Sequence, residues 1–368
     1  MNEPRGSRGI LHLLLSITET SAPYNEHCLP LAGNQNITIC TYFRSDITPP
    51  KEIKFFEGDD SLKGFFRVLK AALDEKEYDI IHAHTPHVGV LFLVFTMFRR
   101  QSTMSATVCT VHNSYLNFKK RNKLLLIPIF ALFKRVVCCS QASLESFPIF
   151  YRLLAGYRLC VVQNSTDMDR ITQIIGNNQK YVQNSNFTIT TVGRLIEIKN
   201  PLSVLKAFQQ SADQASRLVF IGEGYLRDEL LTELETFGLG NQVDLTGLIP
   251  RDKVYEKLIG TDLFISASFG EGLPVAVLEA MACGCPVILS DIPPHREIAD
   301  GADFIPLIHP EDVSGFAGEI KRFRHMSSSE RAEFGEKCRK LVEDRFSLTA
   351  MHKRYEEVYA QVLGMHNA

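Results

Sequence analysis

No apolar run in this sequence is long enough to cross a bilayer. The longest, Val88 to Phe98 and Leu124 to Phe133, reach about ten residues, against the roughly 20 that a spanning helix needs. The early run Ile10 to Ile17 is shorter still and lacks a small-residue cleavage site, so a first β-strand is expected there rather than a secretory signal. Zinc-type spacing is missing too. The nine cysteines, at 28, 40, 109, 138, 139, 160, 283, 285 and 338, form no CxxC pair and are odd in number. Buried free thiols and a reducing cytoplasm are therefore expected. No GxGxxG follows the first strand, which argues against a nicotinamide dehydrogenase.

Acidic residues are absent from Ile80 to Leu144. The same stretch holds Arg99, Arg100, Lys119, Lys120, Arg121, Lys123, Lys134 and Arg135, two apolar runs flanked by those cations, and four histidines. A solvated basic face is the plain reading. The sharper one is that residues 99–135 dock on an anionic membrane surface, where each cation contributes about 1 kcal/mol. With a net charge of −2 over the whole chain, no nucleic-acid partner is expected.

What the chain does contain is enough for two cores. Its 368 residues, 45% hydrophobic and 22% charged, suit two domains of roughly 150 to 200 residues. Short β-branched runs alternate with amphipathic stretches, the pattern of parallel sheets with crossover helices. In the first half strands are expected at Ile10–Ile17, Asn36–Tyr42, Ile80–Ala83, Ala106–Val111, Arg135–Ser140 and Leu159–Gln163. In the second they are expected at Phe187–Thr191, Arg217–Ile221, Gln242–Thr246, Asp262–Ser266 and Pro286–Ser290. Helices are expected at Gly64–Asp74, Pro201–Ala212, Leu226–Phe237 and Leu348–Leu363.

This divides the chain into an N-terminal Rossmann-like domain (1–163), an Asn/Gln-rich hinge (164–186), a second Rossmann-like domain (187–345) and a final helical segment (346–368). The expected fold class is α/β, two doubly wound domains facing across a cleft, with ligands beyond the carboxyl ends of the strands.

Two loops there carry chemistry. Phe269 to Glu279, leading to Gly284, reads as strand, glycine-bearing loop and helix. Pro274 fits the first helical position and Gly284 the left-handed position after the helix. Gly270 and Gly272 permit close backbone approach, and the amides of Gly272, Leu273, Pro274 and Val275 would frame an anion site, Pro274 contributing no N–H. Glu271 in the loop and Glu279 in the helix could serve one sugar hydroxyl set each, or be solvated helix-end residues. The second loop runs from Gly193 through Arg194 to Lys199, with Asn200 as helix N-cap and Pro201 as first helical residue. A guanidinium fork and an ammonium in one loop can converge on a diphosphate, doing electrostatically what a metal does elsewhere.

The order Gly193-Arg194…Lys199, Gly222-Glu-Gly224, Gly247-Leu-Ile-Pro250, then Glu271 through Glu279 and Glu-Ala-Met-Ala-Cys-Gly, resembles the retaining glycosyltransferases of family 4, glycosyl transferases group 1, with the GT-B fold. The resemblance spans nearly the whole chain and is strongest from Val192 to Asp303. It implies a hexosyltransferase that takes a nucleotide sugar, needs no metal or other cofactor, and retains anomeric configuration. It implies that Arg194 and Lys199 bind the donor diphosphate, that Glu279 holds the ribose, and that Glu271 contacts the transferred sugar. Gly193 and the backbone of Gly272, Leu273, Pro274 and Val275 would line the donor site. Val108 to His112 matches a strand whose terminal histidine reaches the sugar from the acceptor side, and Arg135 to Ser140 a strand ending in serine.

The acceptor would be a glycan or lipid-linked precursor of cell-envelope polysaccharide. The enzyme would be cytoplasmic and peripheral on the inner face of the membrane. Its leaving phosphate oxygen would itself help to deprotonate the acceptor, although a double displacement through a carboxylate stays open at the level of sequence. Two departures from the family pattern stand out. The glycine pair after the first strand is replaced by Thr18 to Glu26, and the Asn-Gly before the hinge by Asn164-Ser165. Asp167-Met-Asp169 is formally a DxD, set where a metal motif is not expected. The rival readings are a nucleotide-sugar-binding scaffold without turnover and a nucleotide-sugar epimerase.

Overall fold

The computed structural model describes residues 8–98, 106–177, 186–211 and 213–364. Arg99 and Arg100 of the basic stretch, Ala212 of the expected helix and residues 178–185 of the expected hinge lie outside the described residues. The chain divides into two compact units, one of residues 1–163 with 349–368 and one of 164–348.

The first unit is built on seven parallel strands: β1 (Gly9–Leu14), β2 (Asn36–Thr41), β3 (Lys54–Phe56), β4 (Ile80–Ala83), β5 (Thr107–Val111), β6 (Arg135–Cys138) and β7 (Leu159–Val161). Their order is β3-β2-β1-β4-β5-β6-β7. Every residue of β1, β4 and β5 is buried, as strands covered by helices on both faces must be. The helix Leu62–Glu75 starts where Ser61 Oγ accepts from the Gly64 amide, and it buries Phe65 and Leu69. The first strand stops at Leu14, short of Ile17, and the chain then enters a turn at Pro23–Cys28 that buries Tyr24, Asn25, Glu26 and His27. The final helix, Leu348–Val362, buries Met351, Tyr355, Val358 and Tyr359 in this unit.

The second unit has six parallel strands: β8 (Phe187–Val192), β9 (Ser216–Ile221), β10 (Val243–Leu245), β11 (Leu263–Ser266), β12 (Val287–Ser290) and β13 (Leu307–Ile308). They run in the order β10-β9-β8-β11-β12-β13. Residues 164–177 belong to this unit, where Ile171 of the helix Met168–Asn177 enters the core. Asp167, the first residue of the formal DxD, accepts from the Arg170 amide and so serves a helix start.

Each sheet reverses strand order once, between β1 and β4 and between β8 and β11. Such switch points leave a crevice beyond the carboxyl ends where side chains from both neighbouring loops converge.

Candidate active site

At the switch point of the second unit the loop after β8 meets the loop after β11. The Phe269 amide donates to the Ile198 carbonyl at 2.8 Å, tying them together. The loop after β9 closes against the first of them. Gly193 N donates to Ile221 O and Leu195 N to Glu223 O, while Gly222 N donates to Gly247 O. Gly222 has φ of 142° and a Cβ there would lie 2.1 Å from the Gly193 carbonyl oxygen, so only glycine fits.

Within this frame Lys199 Nζ donates to Glu271 Oε1 at 2.6 Å, and Ser268 Oγ donates to the same oxygen at 2.7 Å. Glu271 is buried. Burial alone would raise its pKa, but the Lys199 ammonium and its hydrogen bond outweigh that and hold the carboxyl below the ordinary value. Glu271 is therefore a fixed anion at neutral pH. The stem of Lys199 lies 3.7 Å from the Cβ position of Gly193. Arg194, in the same loop, is exposed. Gly193, Arg194, Lys199, Ser266 and Ser268 line one small pocket at the strand ends. A larger concavity of about 690 Å³, lined by Thr188, Arg217, Asp244, Lys257 and Asp262, lies at the amino ends of the strands, the edge opposite this chemistry.

Beneath the loop, His295 receives Ser266 Oγ at Nε2 (3.3 Å) and faces the Ser290 carbonyl oxygen at Nδ1 (2.8 Å). Burial depresses its pKa to about 4, so the ring is neutral. Ser290 Oγ donates to the Ser268 carbonyl at 2.6 Å, which holds the strand end that presents Ser268.

Two local readings of the loops need correction. The helix begins at Val275, so Pro274 stands one residue before it in an extended conformation, while Gly284 does take the left-handed position, with φ of 80°. Asn200 is itself left-handed, at φ of 54°. Its side-chain amide donates to the carbonyls of Ala267 and Pro310, so it clamps three segments rather than capping a helix. Leu273 is buried and its carbonyl accepts from Asn164 Nδ2 at 2.9 Å. Gly272 precedes it in the same turn.

Glu279 sits in the buried helix Val275–Ala282. Its Oε1 accepts from Arg251 Nε at 2.7 Å and from Tyr255 OH at 2.8 Å, and Arg251 Nη2 stands 2.5 Å away. All three residues are buried. Arg251 and Tyr255 are one turn apart on the helix Arg251–Ile259, so both reach inward from a single face. Neither was apparent from sequence. The usable signal was the i, i+4 spacing directly after Pro250.

His112 lies in the first unit, just beyond β5, and is surrounded by histidines. Its Nε2 is 3.4 Å from Nδ1 of His84, and Nε2 of His84 is 2.8 Å from Nδ1 of His12. His82 spans Tyr359 OH (2.8 Å) and Thr110 Oγ1 (2.7 Å), and Thr110 Oγ1 in turn meets Tyr355 OH. His27 packs edge-on to His84 with ring centres 4.8 Å apart. The loop that replaces the expected glycine pair thus delivers an imidazole.

Burial first, then mutual repulsion, holds His27, His82 and His84 well below the ordinary imidazole pKa; burial alone takes His12 to about 3. These four rings are neutral at pH 7. Ring nitrogens of His27, His84 and His112 come within 4.8 Å of one another, close enough to hold a divalent ion, as do those of His12, His82 and His84. In the latter group both His82 nitrogens are already engaged by hydroxyls.

Residues 41–170 match the description Glycosyltransferase Family 4, and residues 176–341 match Glycosyl transferases group 1. Among characterised relatives, the chain is 24% identical to UDP-Gal:alpha-D-GlcNAc-diphosphoundecaprenol alpha-1,3-galactosyltransferase of Escherichia coli, covering 85% of this chain and 82% of that one. It is 26% identical to N-acetylgalactosamine-N,N'-diacetylbacillosaminyl-diphospho-undecaprenol 4-alpha-N-acetylgalactosaminyltransferase of Campylobacter jejuni, covering 54% of each. Among solved structures, HepE of Anabaena in complex with UDP and glucose superposes with a TM-score of 0.76 at 17% identity, over 96% of this chain and all of that one. Sucrose-phosphate synthase of Thermosynechococcus elongatus superposes with a TM-score of 0.79 at 16% identity, over 98% of this chain and all of that one. With both halves matched in order and the α/β architecture shared, the chain belongs to the family 4 glycosyltransferases of the GT-B fold.

Proposed function

We propose that the protein moves a hexosyl group from a UDP-sugar to a lipid-linked glycan precursor of the cell envelope, with retention of configuration and without a metal ion. The observation that carries this reading is the Lys199–Glu271 pair at the β8/β11 switch point, with exposed Arg194 in the same loop. In this reading Arg194 receives the diphosphate by its planar fork. The Lys199 ammonium has three donors, so it can serve a phosphate oxygen while keeping Glu271 in place. Glu271 accepts from hydroxyls of the transferred sugar, and Glu279, oriented by Arg251 and Tyr255, accepts from the ribose. Gly193, Gly272, Leu273, Pro274 and Val275 shape the backbone around the donor. His112 contacts the acceptor side.

In the transfer itself the bond from the anomeric carbon to the phosphate oxygen breaks, and the acceptor oxygen bonds to that carbon on the same face. The acceptor proton passes to the departing phosphate oxygen. Negative charge grows on the diphosphate as this happens, and Arg194 and Lys199 offset it, the role that fixed cations fill best in a partly dry site.

A lipid-linked acceptor is supported by the E. coli and C. jejuni relatives, whose names specify diphosphoundecaprenol substrates, and by the basic stretch. Lys119, Lys120, Arg121 and Lys134 are exposed. They suit an anionic surface, and in this reading the enzyme is peripheral on the inner face of the membrane. Incubation with UDP-hexoses tests the reading. UDP release and an acceptor-linked product of the donor's anomeric configuration by NMR are expected. Binding without turnover would favour an inactive scaffold, and conversion of the donor sugar to its epimer would favour an epimerase.

A further inference from the structure

The basic stretch explains attraction to a membrane but not why so much apolar surface lies beside it. Half of the exposed large hydrophobic side chains among the described residues fall between positions 116 and 157. The helix Ile149–Ala155 turns Tyr151 and Ala155 inward and leaves Ile149 (59% exposed), Phe150 (55%) and Leu153 (73%) outside. The neighbouring helix Lys120–Leu132 buries Leu126, Ile129 and Phe130 and leaves Leu124 (66%) outside. Hydrogen bonds and ring contacts hold these two helices together. Tyr151 OH donates to the Lys123 carbonyl, and Arg158 donates to the carbonyls of Phe130 and Phe133. Lys123 lies over the Tyr115 ring, 4.3 Å from its centre, and Tyr115 packs on Tyr151. Leu116, 78% exposed, follows directly.

We propose that this outward apolar face is a wedge that inserts into an anionic lipid bilayer, gripping the membrane with Leu124, Ile149, Phe150 and Leu153 while the flanking cations hold the headgroups. The proposal rests on the reading of a membrane-borne acceptor and extends it from surface attraction to penetration. Charge complementarity selects a lipid surface as the occupant. From Ile80 to Thr166 the sequence has a single acidic residue, Glu145, against ten Lys and Arg. A protein partner would be expected to meet some counter-charge, whereas apolar side chains ringed by cations match an anionic leaflet layer by layer. Among the described residues no helix is long and apolar enough to span, so attachment is by one leaflet.

The sequence lacks tryptophan, which makes a background-free test available. In the full chain, Phe150→Trp or Leu153→Trp reports the wedge, and Leu231→Trp, an exposed site in the second unit, serves as control. With vesicles rich in phosphatidylglycerol, the first two are expected to shift to the blue and to be quenched by brominated acyl chains, and the control is not. The double variant Phe150→Ser/Leu153→Ser is expected to bind such vesicles at least about tenfold more weakly while hydrolysing UDP-sugar at the wild-type rate. That rate reports on the transferase reading separately. Vesicle binding without quenching, fully reversed by salt, would overturn insertion and leave only surface attraction. Absence of binding at low salt would overturn both. A concentration-dependent blue shift without vesicles would also overturn it, by showing that a second copy covers the face.

Discussion

The two switch points are built from opposite materials. In the second unit the two candidate carboxylates are each matched with a cation, Glu271 with Lys199 and Glu279 with Arg251, and both pairs are largely buried. In the first unit the imidazoles of His12, His27, His82 and His84 cluster with His112, and burial keeps those four uncharged. The contrast teaches that one end is organised to hold anions against fixed charges, a task that tolerates no movement. The other is a network whose inner rings, His12, His27, His82 and His84, are neutral and can donate or accept without carrying charge.

Breaking the charged side should cost most. Arg251→Met leaves Glu279 as a buried anion with only Tyr255 for company, and a loss of about 3 to 5 kcal/mol is expected, read as a fall in denaturant midpoint with an unchanged slope. Arg251→Met/Glu279→Gln should recover much of that stability while failing to restore donor affinity. Lys199→Ala is expected to lower kcat by about 10², and wild-type turnover would remove the assigned role. On the neutral side a smaller effect is expected. His84→Phe keeps a planar ring but removes the contact to His112, so kcat should drop by about tenfold with the donor KM unchanged. A change in donor KM instead would mean that the cluster serves the donor.

The pH response is shared by the two regions, because burial lowers the pKa of His12, His27, His82 and His84 in the first unit and of His295 in the second. The folded pKa of His295, about 4, lies below its ordinary 6.5. Between those values the unfolded chain binds the proton and the folded one does not, so stability is complete above about pH 6.5 and is lost as pH falls toward 4. The difference in melting temperature between the wild type and His295→Asn across that window isolates the share of His295. The smallest expected effect is none: chelator treatment should leave turnover unchanged. Loss of activity on chelation, restored by zinc, would instead assign an ion to His27, His84 and His112.

Much of this was legible in the sequence because it depended on local pattern. The β-branched runs specified the longer strands, and the glycine, proline and charge positions specified the loops after β8 and β11. Strands β3 and β13, of three and two residues, were not among those expected, whereas β7 and β10, no longer than β3, lie inside the five-residue stretches Leu159–Gln163 and Gln242–Thr246. Pairings between distant segments were also hidden. His12 stands beside His82 only through the β1/β4 register, and His27 arrives on a loop that reads as polar. The partner of Arg251 was hidden because its carboxylate, Glu279, is 28 residues away.

The central claim is that Arg194, Lys199, Glu271 and Glu279 receive a nucleoside diphosphate sugar. Titration calorimetry of UDP into the wild-type protein and into Lys199→Met tests it most directly. Saturable binding by the wild type, weakened at least tenfold in the variant, is the expected result. Equal affinity for both proteins, or heat of binding from neither, would contradict it.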